Sequence, residues 1–203
     1  PLNRRQRQMC IRDSFMVMAA KQTDGHHPMT ARYLDQEKVR KALDSAQSFG
    51  ASYAEVRVVA LTESTVAMRD GALEKAIPGQ ELGMTLRVLA DGAWGVHSTT
   101  DLASLNDQIE STTRLAKAVA QRRSPSERPK ALAEVPVIED ETHWRSKLDV
   151  RHTELDEKIR LMNEMHSGAT GHEDIVSVRT GWSDEHIHTE LMTTEGMDRV
   201  WSF

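Results

Sequence analysis

The stretch that decides the fold is residues 50–99, GASYAEVRVVALTESTVAMRDGALEKAIPGQELGMTLRVLADGAWGVHST. Apolar and polar residues alternate along it, as at Ala54, Val56 and Val58, and a period of two is typical of a strand with one buried face. Asp-Gly pairs at 70–71 and 91–92 predict the tight turns that join antiparallel strands. The pattern predicts a meander of about five strands, at 54–60, 62–69, 73–77, 82–88 and 93–98.

Helical patterns flank this meander. Residues 35–49 begin with Asp35, a good N-cap, and repeat apolar residues at helical spacing. Residues 102–121 repeat the pattern behind an N-cap at Thr100 or Asp101. The expected fold class is therefore α+β, an antiparallel sheet packed by two helices, in a domain that covers residues 35–123.

A connector and a third helix are expected next. Residues 124–149 contain Pro125, Pro129 and Pro136, which discourage regular structure and predict an extended connector. Thr153, with Asp156 three residues later, resembles the capping box of a helix that ends near Gly168.

The last part of the chain predicts more strands. Residues 175–182 and 186–193 form a plausible hairpin with Ser183-Asp184-Glu185 as its turn, and one more strand covers residues 197–203. We expect residues 150–203 to hold the third helix and the start of an incomplete second β-rich region. The strand pattern continues to Phe203 without a polar tail, which predicts a truncated sequence.

Residues 1–14 are expected to be foreign to the domain. Residues 4–13, RRQRQMCIRD, match the translation of a transposase adapter used in shotgun sequencing libraries. On this interpretation the natural start is Met16, Met18 or Met29, residues 15–34 are a flexible leader, and Cys10, the single cysteine, is not native. The alternative is a disordered basic arm that binds nucleic acid.

Composition narrows the functional class. Without the adapter match, which carries four arginines and one aspartate, the formal charge is about −8, and no basic stripe is present. Direct binding of nucleic acid is therefore not expected. No run of eighteen apolar residues exists to span a membrane. A chain with no native cysteine fits a cytoplasmic setting, and 38% hydrophobic with 28% charged residues is typical of a globular protein.

A series of short motifs in residues 42–100 resembles one known family. It runs Ala-Leu-Asp-Ser-Ala from residue 42 and Gly-Ala-Ser-Tyr-Ala-Glu-Val-Arg from residue 50, then Arg-Asp-Gly-Ala-Leu-Glu from residue 69. Gly-Met-Thr-Leu-Arg-Val from residue 83 and Asp-Gly-Ala-Trp-Gly-Val from residue 91 complete it. In order and spacing the series is similar to the N-terminal domain of the TldD/PmbA family, also called modulators of DNA gyrase. The resemblance continues more weakly to about residue 170 and at the turn over 193–196.

The resemblance implies a cytoplasmic zinc metallopeptidase that degrades unfolded or extended peptides and works as a pair of similar subunits. In that family a His-Glu-x-x-x-His helix of the C-terminal domain binds the metal in one subunit type, and its glutamate activates water. The present sequence lacks this motif, so it should be inactive alone, with no zinc expected in it. Three alternatives stay open: the N-terminal, substrate-admitting and pairing part of the metallopeptidase, a metal-free partner subunit, or a free-standing peptide-binding module.

His186, His188 and Glu190 are the weak candidates for metal ligands. In a strand they project from one face, and alternate histidines can share a metal ion. The preferred interpretation is a solvated polar face opposite Ile187, Thr189 and Leu191. We therefore predict no metal site in this chain.

Two further dipeptides that contain histidine also predict no metal site. His172-Glu173 is followed by Val176 and Ser177, so neither zinc-protease spacing is completed, and a loop is expected. His26-His27 belongs to the leader.

Three other features of the meander could carry function. Arg69-Asp70-Gly71 could place charges at a peptide-binding edge, although turn chemistry alone explains Asp70 and Gly71. Trp94 could line a substrate cleft, although packing of its strand on the following helix is preferred. Ser98 lies in no nucleophile pattern. No catalytic residue is predicted, and the substrate-binding residues are left open.

Overall fold

The structure is a computed structural model that describes residues 32–124, 126, 132–144 and 153–203. Two strands of nineteen residues each are the longest elements of its sheet. β1 covers Ala51–Arg69 and β2 covers Ala72–Ala90, and the two pair antiparallel. Asp70 and Gly71 join them with φ angles of +50° and +78°, which aspartate and glycine tolerate better than most residues. The predicted Asp-Gly turn is confirmed, but the four short strands predicted around it are two long ones.

The remaining described strands are β3 (Ala93–Thr99), β4 (Glu139–His143), β5 (Arg179–Thr193) and β6 (Asp198–Ser202). All six form one sheet in the order β3-β2-β1-β5-β6-β4, in which only the β4–β6 pair is parallel. The described helices are α1 (Gln36–Ser48), α2 (Leu105–Arg122) and α3 (Leu155–Ala169), and none of them is long and apolar enough to cross a membrane. The α+β class predicted from the sequence is confirmed.

Pro78 fits inside β2 because its missing N–H lies on the outer side of that strand. Ile187 exchanges both backbone hydrogen bonds with Phe203, so odd-numbered residues of β5 bond away from β1. In β1, even-numbered residues therefore bond to β5 and odd-numbered residues bond to β2. The β1–β2 register pairs odd with odd, so the odd-numbered residues of β2 bond to β1. Pro78, opposite Ser64, has its backbone nitrogen on the outer side of β2. β3 reaches only Met84–Ala90, so no described strand needs a donor from Pro78. The predicted end of a strand at residue 77, just before Pro78 and Gly79, is therefore wrong.

A side chain caps the start of only one of the three described helices. Asp35 accepts hydrogen bonds from the backbone N–H groups of Glu37 and Lys38, as its N-cap position predicts. Asp101 accepts from the N–H of Ala103, but α2 begins only at Leu105, three residues later than predicted. The capping box predicted at Thr153 is wrong, because the N-cap of α3 is Glu154 and no side chain caps that helix.

β5 is one continuous strand, so the hairpin predicted across Ser183-Asp184-Glu185 is wrong. Those residues lie opposite β1, where Ser64 Oγ donates to Asp184 Oδ2 at 2.9 Å. Because β5 pairs with β1, the described strands form one sheet and not the separate second sheet that the sequence predicts. The predicted connector also contains β4. That residues 35–123 form a domain of their own stays a prediction.

Two apolar clusters lie on one face of the sheet, under the helices. The larger one packs α1 and α2 against the N-terminal half of β1 and the C-terminal half of β2. Its most buried large side chains, each at most 4% exposed, include Val39, Leu43, Val56, Leu86 and Ile109. The smaller cluster joins Met162 of α3 to Val66 and Met68 of β1. All these β1 residues are even-numbered and share a face, which we call the helix-bearing face. The opposite, odd-numbered face of β1 is the helix-free face.

Gly95 sets the distance between β3 and α2, and its substitution tests this packing. A Cβ at Gly95 would lie 2.3 Å from the carbonyl oxygen of Thr112, whereas one at Gly83 would meet nothing closer than 4.0 Å. We expect Gly95→Ala to lower the free energy of unfolding by about 1–3 kcal/mol or more, as for overpacked cores. Gly83→Ala should change it by less than about 1 kcal/mol, in the stabilising direction. Equal losses in urea denaturation of both variants would contradict this account.

Candidate functional site

His188 and Glu190 lie on the helix-bearing face, where the sequence predicts a solvated surface. Both residues are 5% exposed, and His188 Nε2 is 3.1 Å from Glu190 Oε1. The backbone N–H of Tyr33 donates to the same carboxylate oxygen at 2.6 Å. The Tyr33 ring packs on His188 with centroids 5.5 Å apart, and the His143 ring stacks on it at 6.5 Å. The pair therefore joins the N-terminal segment and β4 to β5.

These residues do not fit a zinc ion. Zinc in peptidases takes about three protein ligands that converge on one point, and within residues 32–124, 132–144 and 153–203 no group of three or more His, Cys, Asp or Glu side chains could hold a metal ion. The second histidine near the pair, His143, is bonded to Ser202 Oγ and to Glu141 Oε1 at 2.8 Å each. His172 is exposed, 3.9 Å from Asp174, and His26-His27 lies outside the described residues.

A buried ion pair, missed by the sequence reasoning, anchors α3 on the sheet. Lys158 Nζ is 2.8 Å from Asp184 Oδ2 and donates to Ser64 Oγ at 2.6 Å, and the two charged side chains are 7% and 11% exposed. Trp182 Nε1 donates to the same carboxylate oxygen. Burial by itself raises the pKa of Asp184, but the hydrogen bonds from Lys158, Trp182 and Ser64 outweigh it and hold the pKa below its usual value.

The Asp70 turn has a structural task. The Asp70 carboxylate accepts from the Val178 N–H at 2.8 Å and from Ser177 Oγ at 3.0 Å, and so ties the β1–β2 turn to the residues before β5. These two hydrogen bonds, the backbone one first, lower the pKa of Asp70. Of the two functions that the sequence leaves open here, this geometry favours turn chemistry over a peptide-binding edge.

The helix-free face carries a cleft built from Tyr53, Glu55, Arg87 and Trp94, which we call the Trp94 cleft. Arg87 Nη1 donates to Glu55 Oε1 at 3.1 Å, and the Tyr53 hydroxyl donates to Glu55 Oε2 at 2.7 Å. The Arg87 guanidinium lies 4.5 Å from the Trp94 ring centroid, and the Tyr53 ring meets Trp94 edge-on at 5.8 Å. Each of the four side chains is therefore in contact with at least one of the other three.

Local sequence explains why these four groups meet. Glu55 and Arg87 are directly opposite each other in the β1–β2 register, and Tyr53 and Trp94 are both opposite Leu89. Gly95 faces α2, so its neighbour Trp94 faces the other side of the sheet. The preferred prediction that Trp94 packs its strand on the following helix does not match this placement, and the cleft interpretation does.

The floor of the cleft is polar, and its central carboxylate is buried and hydrogen-bonded. Glu55 is only 6% exposed although no described helix covers this face. Burial, followed by the hydrogen bond to the Glu55 carboxylate, raises the pKa of Tyr53 well above its usual value, so the phenol stays protonated and keeps donating. Glu195 and residues 132, 133 and 135 complete a cleft of about 200 Å³. That volume is below the usual range for a whole small-molecule ligand and suits part of one, such as a peptide side chain.

Ser98 does not belong to this cleft. Its Oγ is 3.2 Å from Thr85 Oγ1 in an exposed cross-strand pair. The sequence reasoning named Trp94 but missed Glu55 and Arg87, since they look like ordinary outward residues of an alternating strand. Both could have been found from the β1–β2 register that the Asp70-Gly71 turn imposes, because it places Glu55 opposite Arg87.

The comparisons with known proteins agree with the resemblance. Residues 54–121 match PmbA/TldA metallopeptidase domain 1. A metalloprotease of Methanocaldococcus jannaschii is 26% identical over 164 residues, which are 80% of this chain and 35% of that protein. This chain therefore spans about a third of that relative.

Two solved structures share the fold. A candidate modulator of DNA gyrase from Bacteroides thetaiotaomicron has a TM-score of 0.65 at 20% identity, over 84% of this chain and 39% of that one. A similar protein of Thermotoga maritima has a TM-score of 0.66 at 17% identity, over 83% and 37%.

The Asp70 tether predicts a pH-dependent loss of stability. Because the folded-state pKa is lowered, the carboxylate stabilises the fold above its unfolded pKa, and this contribution disappears as the pH falls through the folded value. We expect Asp70→Asn to lower the melting temperature at about pH 7 and to match the parent chain at about pH 2. Asp91→Asn, at the other Asp-Gly turn with φ of +51°, controls for asparagine in this conformation. A pH-independent difference would mean that the charge is not the cause.

The Lys158–Asp184 pair predicts strong coupling between α3 and β5. Lys158→Met leaves a buried carboxylate without its cation and should cost about 3–5 kcal/mol of unfolding free energy. Lys158→Met with Asp184→Leu removes both charges and should recover most of that loss. A double-mutant cycle in denaturant measures the coupling, and additive effects of the two substitutions would show that the ion pair does not hold the helix.

Proposed function

We propose that the chain is the N-terminal, substrate-admitting and subunit-pairing part of a PmbA/TldD-type, cytoplasmic zinc metallopeptidase that degrades unfolded or extended peptides. The match of residues 54–121 to the first domain of that family supports the assignment. The observation that supports this proposal is the Trp94 cleft, which lies on the face of the sheet that no described helix covers. Tyr53, Glu55, Arg87 and Trp94 lie within or next to the residues that match the family domain.

The geometry supports a binding task for this part of the protein. Chemical catalysis needs a group whose proton or electron pair is available at the site. In the Trp94 cleft the Glu55 carboxylate is already bonded to Arg87 and Tyr53, and the phenol of Tyr53 is held protonated. The cleft instead offers flat aromatic surface, a guanidinium with several N–H groups, and apolar walls, which suit the backbone and side chains of a peptide.

The metal chemistry is assigned to a part of the protein outside the described residues. The two histidines that stack on each other are both bonded to neighbouring groups, His188 to Glu190 and His143 to Ser202 and Glu141. We therefore derive no step of hydrolysis from this chain. The proposed partners are a homologous subunit and an extended peptide.

The coding sequence beyond Phe203 tests the proposal. A His-Glu-x-x-x-His motif there, with chelator-sensitive cleavage of an unstructured peptide by the encoded protein, is the expected result. A family-length continuation without the motif would instead assign the chain to a metal-free partner subunit. A stop codon directly after Phe203 would overturn the proposal in favour of a free-standing peptide-binding module.

The 203-residue chain is expected to hold no stoichiometric zinc and to cleave no unstructured peptide, because its described residues do not bring three ligands to one point. Elemental analysis after dialysis against zinc checks the first part, and a fluorogenic peptide assay checks the second. His186→Ala serves as the matched variant and should leave both results unchanged. One tightly held zinc ion per chain that is lost in His186→Ala would contradict the prediction.

A further inference from the structure

The chain's own extended segment forms one side of the Trp94 cleft. Residues 132–137, Leu-Ala-Glu-Val-Pro-Val, form neither helix nor strand, and we call them the strap. Leu132, Ala133 and Val135 line the cleft together with Tyr53, Glu55, Arg87 and Trp94. The strap leads into β4, and Ile138 accepts a hydrogen bond from the N–H of Asp198 at 3.1 Å.

The strap is held weakly in comparison with the strands around it. Val135 and Val137 are 56% and 55% exposed although both are apolar. Among the described residues, no backbone hydrogen bond involves residues 132–137. Segments with few hydrogen bonds and exposed side chains open at low free-energy cost. The strap can therefore leave the cleft without breaking a strand ladder.

The floor of the cleft, made of Tyr53, Glu55, Arg87 and Trp94, does not depend on the strap. The Glu55 carboxylate takes its hydrogen bonds from Arg87 and Tyr53, and Trp94 is packed by the same two residues. All of these groups come from β1, β2 and β3. Removing the strap leaves no unsatisfied buried charge, so the site remains formed and ready for another occupant.

We propose that the Trp94 cleft is a binding site for an extended peptide with apolar side chains, and that the strap is its resident occupant, which such a peptide displaces. This inference rests on the proposed function and names the kind of peptide segment that this face admits. The strap itself defines the chemistry, since Leu132, Ala133 and Val135 line the cleft and Glu134 does not. Glu55 and Glu195 line the cleft, and Arg87 is already paired with Glu55, so an acidic side chain at the lining positions is disfavoured.

A competing peptide must overcome the tether of the strap. An intramolecular segment acts at an effective concentration on the order of millimolar for a short flexible linker, so a free peptide binds weakly to the parent chain. Replacing the apolar contacts of the strap lowers this competition. The Leu132→Ser, Val135→Ser double variant should therefore bind a free peptide at least about tenfold more tightly than the parent chain.

The test uses the complete 203-residue chain and fluorescence anisotropy of a labelled peptide, Leu-Ala-Glu-Val-Pro-Val, with blocked ends. The expected result is tighter binding to the strap variant and no binding of a control peptide with aspartate in place of its leucine and its first valine. Trp94→Ala should abolish the gain, and Arg87→Lys, which keeps the charge but loses the planar stack, should reduce it. Trp144→Ala, at a 79% exposed tryptophan, should not affect binding.

Each other outcome would overturn the inference. Equal affinity for the parent chain and the strap variant would mean that the strap does not occupy the site. Binding that survives both Trp94→Ala and Arg87→Lys would place the peptide elsewhere. Because the assay needs no metal and no hydrolysis, its result is independent of whether a His-Glu-x-x-x-His motif lies beyond Phe203, and failure of one proposal is distinguishable from failure of the other.

Discussion

The pairing of β1 on both of its edges is the constraint on which the rest of the structure depends. β2 pairs with β1 from Ala51 to Arg69, and β5 pairs with it from Glu55 to Arg69. The first pairing follows from a two-residue turn, whereas the second joins residues more than a hundred positions apart. Such a non-local contact forms only after the entropy of closing a long loop has been overcome. The many hydrogen bonds of a fifteen-residue strand make that closure favourable.

Each of the sites described above includes a residue of β1 or lies beside that strand. Alternation sends Glu55 to the helix-free face and Val56 to the helix-bearing face, so consecutive residues serve the cleft and the core. Ser64, farther along the same strand, meets Lys158 and Asp184 between the two apolar clusters. The polar residues of β5 lie under the helices because β5 must extend from one cluster to the other. Their charges are tolerated there because Asp184 has Lys158 and Glu190 has the Tyr33 N–H.

Sequence reasoning succeeded where local chemistry decides the structure. Asp35 caps α1 and the Asp-Gly pairs turn the chain, since each depends on a few neighbouring atoms. It failed at Pro78 and at Ser183-Asp184-Glu185, where turn-forming residues stay in strands because a partner strand supplies the hydrogen bonds or, for Pro78, does not need them. It also missed β4, whose five residues are all polar and which forms only because β6 lies beside it. The family resemblance was visible because it depends on the order of short local motifs.

The candidate site was only partly visible for the same reason. Trp94 attracts attention as a residue type, but Glu55 becomes informative only when the register places Arg87 opposite it. The strap is harder still to foresee, because nothing in Leu132 or Val135 indicates which surface the segment will cross. Its position follows from the β4–β6 pair, which fixes its C-terminal end beside Asp198. β4 can stay paired while the strap leaves the cleft, since the two are adjacent but separately held. An extended segment anchored at the strand and loose over an aromatic cleft can therefore exchange with a peptide without unfolding the sheet.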